Sequence, residues 1–417
     1  MSNSQKTLLL AVFLWLVSIH AGFSQAKYTI SGEIRDAKSG EALIGASVYP
    51  AELPTKGVVT NAYGFYSITL PEGKYTFSSQ FIGFEKSTQN ISLTQNMQVN
   101  FDLTESVISL DEVVVSAERR DKNISSTQMS NVKINIAELK SIPVLFGEKD
   151  VLKSIQLLPG VKSAGEGSSG FYVRGGGTDQ NLILLDEAPV YNPSHVMGFF
   201  SVFNSDALKD VNLIKGGMPA EYGGRLSSVL DVKMNEGNNK EYHANGGLGL
   251  ISSHLTVEGP IQKDKSSFMV SGRRTYADLF LKASSNEMLQ NTNIYFYDLN
   301  MKMNFRMGDK DRLFISGYFG RDDINLLRFS NAFQSMWGNT TGTLRWNHIF
   351  TNKLFMNTSL IYSDFTYNMQ LGSDSTQVNV QSSIRDYNFK QEWQYYFNSQ
   401  HTFKFGYNTI YHSYPAV

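Results

Sequence analysis

The stretch from Lys240 onward constrains the fold most, because its side chains alternate with period two over long distances. Tyr387, Phe389, Trp393, Tyr395 and Phe397 fall on one face, and Asn388, Lys390, Glu392 and Gln394 on the other. His401, Phe403, Phe405, Tyr407 and Tyr411 alternate with Thr402, Lys404, Gly406 and Asn408, and Leu344, Trp346, His348 and Phe350 with Thr343, Arg345 and Asn347. A period of two means strands. Aromatics on an outer face with polar groups inside is the pattern of a transmembrane β-barrel. A soluble sandwich alternates too, but its dry core cannot satisfy so many polar inward positions. The alternation predicts strands near 242–258, 267–275, 294–306, 312–325, 337–350, 353–369, 380–397 and 401–412, with a helical piece over Tyr276 to Ala283 in a turn or loop.

The other end of the chain says how it would reach a membrane. Lys6 precedes the apolar run Leu8 to Val17, followed by small residues around Ala21-Gly22-Phe23-Ser24-Gln25-Ala26. This is the order of a secretory signal peptide, with cleavage expected after Ser24 or Ala26. No later segment approaches the ~18 apolar residues of a membrane helix, so a membrane role rests on the barrel. Lys+Arg 37 against Asp+Glu 38 gives a net charge of −1, which provides no general pull toward nucleic acid. The chain has no Cys, which removes disulfides, thiolate metal sites, cysteine nucleophiles and a lipid-modified N-terminal cysteine together.

From Tyr28 to Leu103 the pattern is short strands with turn punctuation: Thr29 to Ile34, Leu43 to Tyr49, Phe65 to Leu70 and Lys74 to Phe81. Such spacing predicts a small β-sandwich. The runs SGEIRDAKSGEALIGASVYP and TNAYGFYSITLPEGKYTFSSQFIGFEK, with the turn Tyr63-Gly64-Phe65, resemble the carboxypeptidase-regulatory-like (transthyretin-like) domain. The resemblance implies an accessory folding or docking module. An attached peptidase would need zinc ligands, yet no His is followed three residues later by Glu and there is no HExxH.

Next comes Leu110-Asp111-Glu112-Val113-Val114-Val115-Ser116-Ala117. From residue types alone this β-branched run reads as the last strand of the sandwich, or as an exposed strand seeking a partner edge. Placed between two domains, LDEVVVSAER resembles the TonB box of Bacteroidetes-type outer-membrane receptors. That implies strand addition to the periplasmic TonB protein through Asp111, Glu112, Val113, Val114, Val115 and Ser116. Main-chain hydrogen bonds would supply the affinity.

Between Arg119 and Glu236 the pattern is mixed. Glu148 to Leu157 reads as an amphipathic helix with Val151, Leu152, Ile155 and Leu158 on one face, stopped by Pro159-Gly160. Then comes FYVRGGGTDQNLILLDEAPVY, Phe171 to Tyr191. Here apolar runs flank the polar Asp186-Glu187 turn, which predicts a β-hairpin. Strands are also expected over Val211 to Lys215 and Ser227 to Met234. Gly175-Gly176-Gly177 lacks the Lys-Ser/Thr of a phosphate loop. Asp179, Asp186 and Glu187 miss calcium-loop spacing. Ser227 lacks a nucleophile elbow, and His195 reads as a satisfied loop histidine.

Taken together, LPGV, YVRGGG, NLILLDEAPVYNP and FNSDALKDVNLIKGGMPAEYGGRLSSVLDV resemble the plug domain of TonB-dependent receptors. The resemblance implies motif positions at Arg174, Gly175, Gly176, Gly177, Asp186, Gly216, Gly217, Gly223, Gly224 and Arg225, with no catalytic or metal site. In a plug inside a barrel, Arg174, Lys215 and Arg225 are expected to pair with acidic groups on the inner wall.

The expected fold class is therefore mainly β: a transthyretin-like sandwich (27–103) behind a signal peptide (1–26), a linker (104–118), an α+β plug (119–236) and an incomplete antiparallel transmembrane barrel (237–417). Plugged transporters have about 22 strands, and only about eight are legible here at the usual strand length. The chain also ends without a terminal aromatic strand, so the N-terminal part of a longer receptor is expected. The resemblance implies a non-enzymatic outer-membrane receptor that takes up an iron chelate, cobalamin, glycan or peptide with energy from TonB. Its partners would be the TonB protein, outer-membrane lipid, the cargo and, as a further candidate, a lipoprotein, with no cofactor and no nucleic acid. A secreted or surface-attached β-rich binding protein is the alternative, and a transmembrane signal receptor ranks below it.

Overall fold

The computed structural model describes residues 26–106, 131–134, 136, 150–165, 170–328, 331–373 and 376–415. The chain divides into two compact units, one formed mainly by residues up to Leu103 and the other mainly by those from Thr104 on. No helix among the described residues is long and apolar enough to cross a membrane.

The first unit is a two-sheet sandwich. Its strands are β1 (Lys27–Asp36), β2 (Ser47–Pro50), β3 (Val58–Val59), β4 (Phe65–Pro71), β5 (Gly73–Gln80), β6 (Ser87–Leu93), β7 (Met97–Gln98) and β8 (Phe101–Leu103). One sheet runs β4-β1-β7 with β8 also on β1, and the other runs β3-β2-β5-β6. Alternating residues such as Ile30, Val48, Ile68, Phe77 and Phe101 fill the space between them. Asn61 makes the turn into β4: its Oδ1 accepts from the backbone N–H groups of Tyr63 and Phe65. The strand expected over Leu43 to Tyr49 starts only at Ser47. Before it, the Thr60 side chain binds both the Leu43 carbonyl and the Ala46 N–H, curling that segment into a turn.

The second unit holds an inner α+β domain and a curved wall. The inner strands are β9 (Asn131–Ile134), β10 (Val161–Ser163), β11 (Phe171–Val173), β12 (Asn181–Leu185), β13 (Ala188–Pro189), β14 (Ser194–His195), β15 (Phe200–Ser201), β16 (Leu208–Ile214) and β17 (Ser228–Met234). Their main sheet has the order β13-β12-β17-β16-β9, with β12 parallel to β17. Helix α1 (Val151–Ile155) is shorter than the span expected, and Asp150 caps it by accepting from Lys153 N–H. Its Val151, Leu152 and Ile155 are buried on one face, in a core with Leu185, Val211 and Val232. The hairpin around Asp186-Glu187 is present, pairing Leu184 with Pro189 and Leu185 with Ala188. Phe171–Val173 lies in a separate pair with β10.

The wall is one antiparallel sheet of nine strands in sequence order. They are β18 (His243–Leu248), β19 (Ser252–Gln262), β20 (Ser266–Thr275), β21 (Asn293–Arg306), β22 (Asp311–Arg328), β23 (Asn331–Thr351), β24 (Leu354–Ser373), β25 (Thr376–Tyr396) and β26 (Thr402–Ser413). The sheet is open, with β18 and β26 at its two ends. The single strand expected near 242–258 is two, folded back at residues 249–251 so that Leu248 faces Ser253. Between β20 and β21 stand α2 (Ala277–Lys282), where a helical piece was expected, and α3 (Glu287–Gln290). The wall's apolar positions point away from the inner domain: Thr343, Arg345 and Asn347 are buried while Leu344, Trp346 and Phe350 are exposed.

Candidate functional site

The hairpin tip at Asp186-Glu187 is where the inner domain grips the wall. Both residues sit in the left-handed region, at φ 46 and 74, the conformation a two-residue hairpin turn of this twist demands. Neither is glycine, so the turn carries backbone strain that its surroundings must hold in place. Four wall side chains from β21, β23 and β24 do so. Lys302 Nζ lies 3.1 Å from Asp186 Oδ2 and donates to the Met234 carbonyl at 2.8 Å. Thr343 Oγ1 donates to the Asp186 carbonyl at 2.9 Å. Arg345 Nε lies 3.5 Å from Glu187 Oε1, and Asn357 Nδ2 donates to the same oxygen at 3.2 Å.

The chain leaves the inner domain through a second ionic knot. Glu236 accepts from Lys209 Nζ at 2.8 Å and from an Arg312 guanidinium nitrogen at 3.2 Å. Burial by itself would raise its pKa, but these cations more than offset that and hold the carboxyl well below its usual range.

A third contact has the opposite polarity. His195, 1% exposed, has Nδ1 at 2.7 Å from Asp322 and Nε2 at 3.3 Å from Asp298. It stacks on Phe296 at 4.1 Å between centroids. Asp298 is also held by Arg273 at 2.6 Å, and Arg273 donates on to the Ser201 carbonyl. Val196 N–H donates to Asp322 at 2.7 Å. Burial disfavours an imidazolium, yet the two carboxylates more than offset it and raise the pKa of His195 above its ordinary value. Beside this contact, Tyr191 donates to Asp386 at 2.6 Å and Asn339 Nδ2 to the Asn192 carbonyl at 2.7 Å.

Of the residues expected to matter, Asp186 lies at the wall, but the expected charge pattern is reversed there. Lys215 donates to the Pro159 carbonyl and Arg225 to that of Gly224, both within the inner domain. At the Asp186-Glu187 tip and at Glu236 the wall supplies the cations, Lys302, Arg345 and Arg312, and the inner domain the anions. Arg174 (φ 49) and Gly175 (φ 84) form the tight turn after β11. Gly176 has no room for a side chain, since a Cβ there would meet Ser227, whose hydroxyl donates to the Val173 carbonyl. Gly177 precedes the 3-10 turn Thr178–Gln180. Gly216 and Gly217 follow β16, and Gly223 and Gly224 lie in the loop before β17. Asp111 to Ser116 lie outside the described residues. His195 is satisfied, as expected, but by wall carboxylates some hundred residues away in sequence. Asp298, Asp322, Lys302 and Arg312 were missed. Their signal is a charge on the strand face opposite the aromatics.

Comparison with known proteins agrees with this build. Residues 30–115 match the CarboxypepD_reg-like domain and residues 126–228 the TonB-dependent Receptor Plug Domain. The TonB-dependent transporter Oar of Myxococcus xanthus is 28% identical over 237 residues, which is 54% of this chain and 22% of Oar. A variant of the ferric enterobactin receptor PfeA of Pseudomonas aeruginosa superposes with a TM-score of 0.51 at 16% identity, covering 71% of this chain and 50% of the receptor. The outer membrane transporter YddB of Escherichia coli gives 0.51 at 11% identity, over 68% of this chain and 48% of its own. The chain thus spans about half the length of these solved receptors, and less of Oar. These relatives are transporters and receptors, not enzymes. The chain carries a carboxypeptidase-regulatory-like domain, a plug and a run of barrel strands around it, the build of the TonB-dependent receptors.

Proposed function

We propose that this chain works in the outer membrane as the plug-bearing part of a receptor that takes up a scarce nutrient when TonB pulls on it. The observation that carries the reading is the chemistry of the plug–wall contact. Most of its buried groups are charged or polar, from Asp186 and Glu236 to Asn339 and Asp386, with Met269, Phe296 and Tyr318 as the apolar wall residues among them. When such groups separate, water replaces their partners, and a buried ion pair adds little net stability over its separated state. An apolar contact of the same size would resist opening far more. A polar seal is therefore tight when closed and inexpensive to break, which suits a gate.

In this reading Asp111 to Ser116 adds as a strand to the periplasmic TonB protein. Tension reaches the plug, and the least stable part of it moves first. Cargo of the iron-chelate, cobalamin, glycan or peptide kind enters from the extracellular side. The arginine, lysine and glycine positions of the plug serve its own turns, while Asp186 serves the seal. Deleting Asp111 to Ser116 in the complete receptor is expected to abolish energised uptake and leave cargo binding intact. Normal uptake after that deletion would refute the reading.

A further inference from the structure

The outer face of the wall changes character along one line. Below it the outward rows are apolar. Met303, Ile315, Leu344, Leu360 and Phe389 are successive cross-strand partners, and the next row ends in Tyr362 and Tyr387, 5.5 Å apart. An apolar band edged by aromatics is the lipid-facing surface of a barrel. Above the tyrosines the outward partners are Phe319, Thr340, Asp364 and Arg385, then Arg321, Gly338, Thr366 and Ser383, then Asp323, Met336, Asn368 and Gln381. This edge lies on the side of the long 276–292 connection, the extracellular side by loop length. Two residues along a tilted barrel strand rise roughly 5 Å, so the first two polar rows stand about 5 and about 10 Å beyond the tyrosines. That is the depth of the lipid headgroups.

The polar rows enclose a hollow of about 370 Å³. Gly338, with no side chain, leaves it open, and Arg321, Thr366, Gln381, Ser383 and Arg385 line it. β22 to β25 each have both neighbours in the sheet, so this stretch of outer face is complete in itself. Two observations point to a ligand. Ser383 is 8% exposed, and its hydroxyl is buried with no hydrogen-bond partner among the described residues. A buried hydroxyl left unmatched costs its whole desolvation. Arg321 is exposed, and among the described residues its one hydrogen-bond acceptor is the Met336 sulfur at 3.3 Å, a weak one. The carboxylates beside it are engaged elsewhere, Asp364 by Arg385 at 3.3 Å and Asp323 by the Tyr295 hydroxyl at 3.2 Å. A bare phosphate would satisfy Arg321 and Ser383 but offer these carboxylates nothing. A sugar phosphate serves both, since its hydroxyls donate where its phosphate accepts.

We propose that this hollow seats the phosphorylated sugar headgroup of an outer-leaflet glycolipid, its phosphate against Arg321 and Ser383 and its hydroxyls toward Asp364 and Gln381. The guanidinium–phosphate hydrogen bond is charge-assisted, and the acyl chains run down over exposed Leu344 and Leu360. The proposal rests on the outer-membrane reading for its setting and gives that receptor a lipid partner distinct from its cargo. In the test, the complete receptor is stripped of lipid in a neutral detergent. It is then titrated with a bisphosphorylated, acylated glucosamine disaccharide under native mass spectrometry. The same lipid without phosphates, phosphatidylglycerol and glucosamine 1-phosphate separate the possible sources of binding. Saturable binding of the phosphorylated glycolipid, tighter than that of each of the three, is expected. Arg321→Gln is expected to weaken it by about tenfold and S383A by about threefold, the worth of one charged and one neutral hydrogen bond. Arg321→Lys is expected to weaken it less than R321Q. Lys310→Gln, the same loss of charge on the exposed turn at the opposite end of β22, is expected to leave it unchanged. Heat-modifiable gel migration checks the fold of each variant, and S383A, which removes one oxygen, carries the test should R321Q fail to fold. Binding indifferent to R321Q and S383A, or equal affinity for any of the three comparison probes, would overturn the proposal. Cargo uptake without this lipid preference sinks the lipid site and not the transport reading. Glycolipid binding that persists in a receptor unable to transport supports the site and counts against the transport reading alone.

Discussion

Replacing Lys302 by Met tests whether the Asp186 tip is the principal fastening of the plug. Asp186 is 1% exposed, and among the described residues its remaining hydrogen-bond donor to the carboxylate is the Met234 N–H at 3.2 Å. Met matches the length of the lysine stem, so the loss is chiefly one of charge. Removing one partner of a buried pair costs about 3–5 kcal/mol, because the other charge stays buried and uncompensated. At about 1.4 kcal/mol per tenfold, opening of the β12–β13 hairpin should become at least about a hundredfold more frequent. Hydrogen exchange followed by mass spectrometry over residues 183–190 in the purified receptor reads that opening directly. The double change Asp186→Asn with Lys302→Met should recover most of the protection, since replacing both charges is often nearly neutral. The outward neighbour Met301 provides the control. The reasoning fails if K302M exchanges no faster than Met301→Ala, or if the double variant is as open as the single one.

The His195 contact should depend on pH. Its folded pKa is raised, so its stabilisation is full below the unfolded value of about 6.5 and is lost as pH rises through the folded value. Protection factors of residues 194–201 should fall over that upper range, and His195→Gln should flatten the profile; a flat wild-type profile would rule the contact out as the cause. Gly176→Ala must displace Ser227 and should cost about 1–3 kcal/mol, whereas G223A, with nothing within 4 Å of the added carbon, should stay within about 0.5 kcal/mol. Thermal unfolding separates the two, and equal losses would refute the packing argument. Finally, the protein should leave the outer-membrane fraction only with detergent; release by salt or alkaline wash would contradict the exposed aromatic wall.

The alternation of single strands was readable from the sequence because side-chain direction in a strand follows from parity alone. Thr343, Arg345 and Asn347 against Leu344, Trp346 and Phe350 already announced a polar inner and apolar outer face. The hairpin at Asp186-Glu187 and the apolar face of the helix around Val151 were local enough to be legible too, although the helix, Val151–Ile155, is shorter than the span expected. The fold-back at residues 249–251 was not, since Leu248 to His254 offers no strong turn residue beyond Gly249 and the alternation runs through it. Nor was the direction of the plug–wall charges. Arg174, Lys215 and Arg225 stood out as cations near glycines, yet nearby carbonyls satisfy Lys215 and Arg225. The sequence by itself thus determined the class of most elements and which face of the long wall strands is polar. Only the tertiary structure decided that Lys302 meets Asp186 and that His195 meets Asp298 and Asp322. Pairing over a hundred residues depends on register and on sheet curvature, and neither is encoded in any local window.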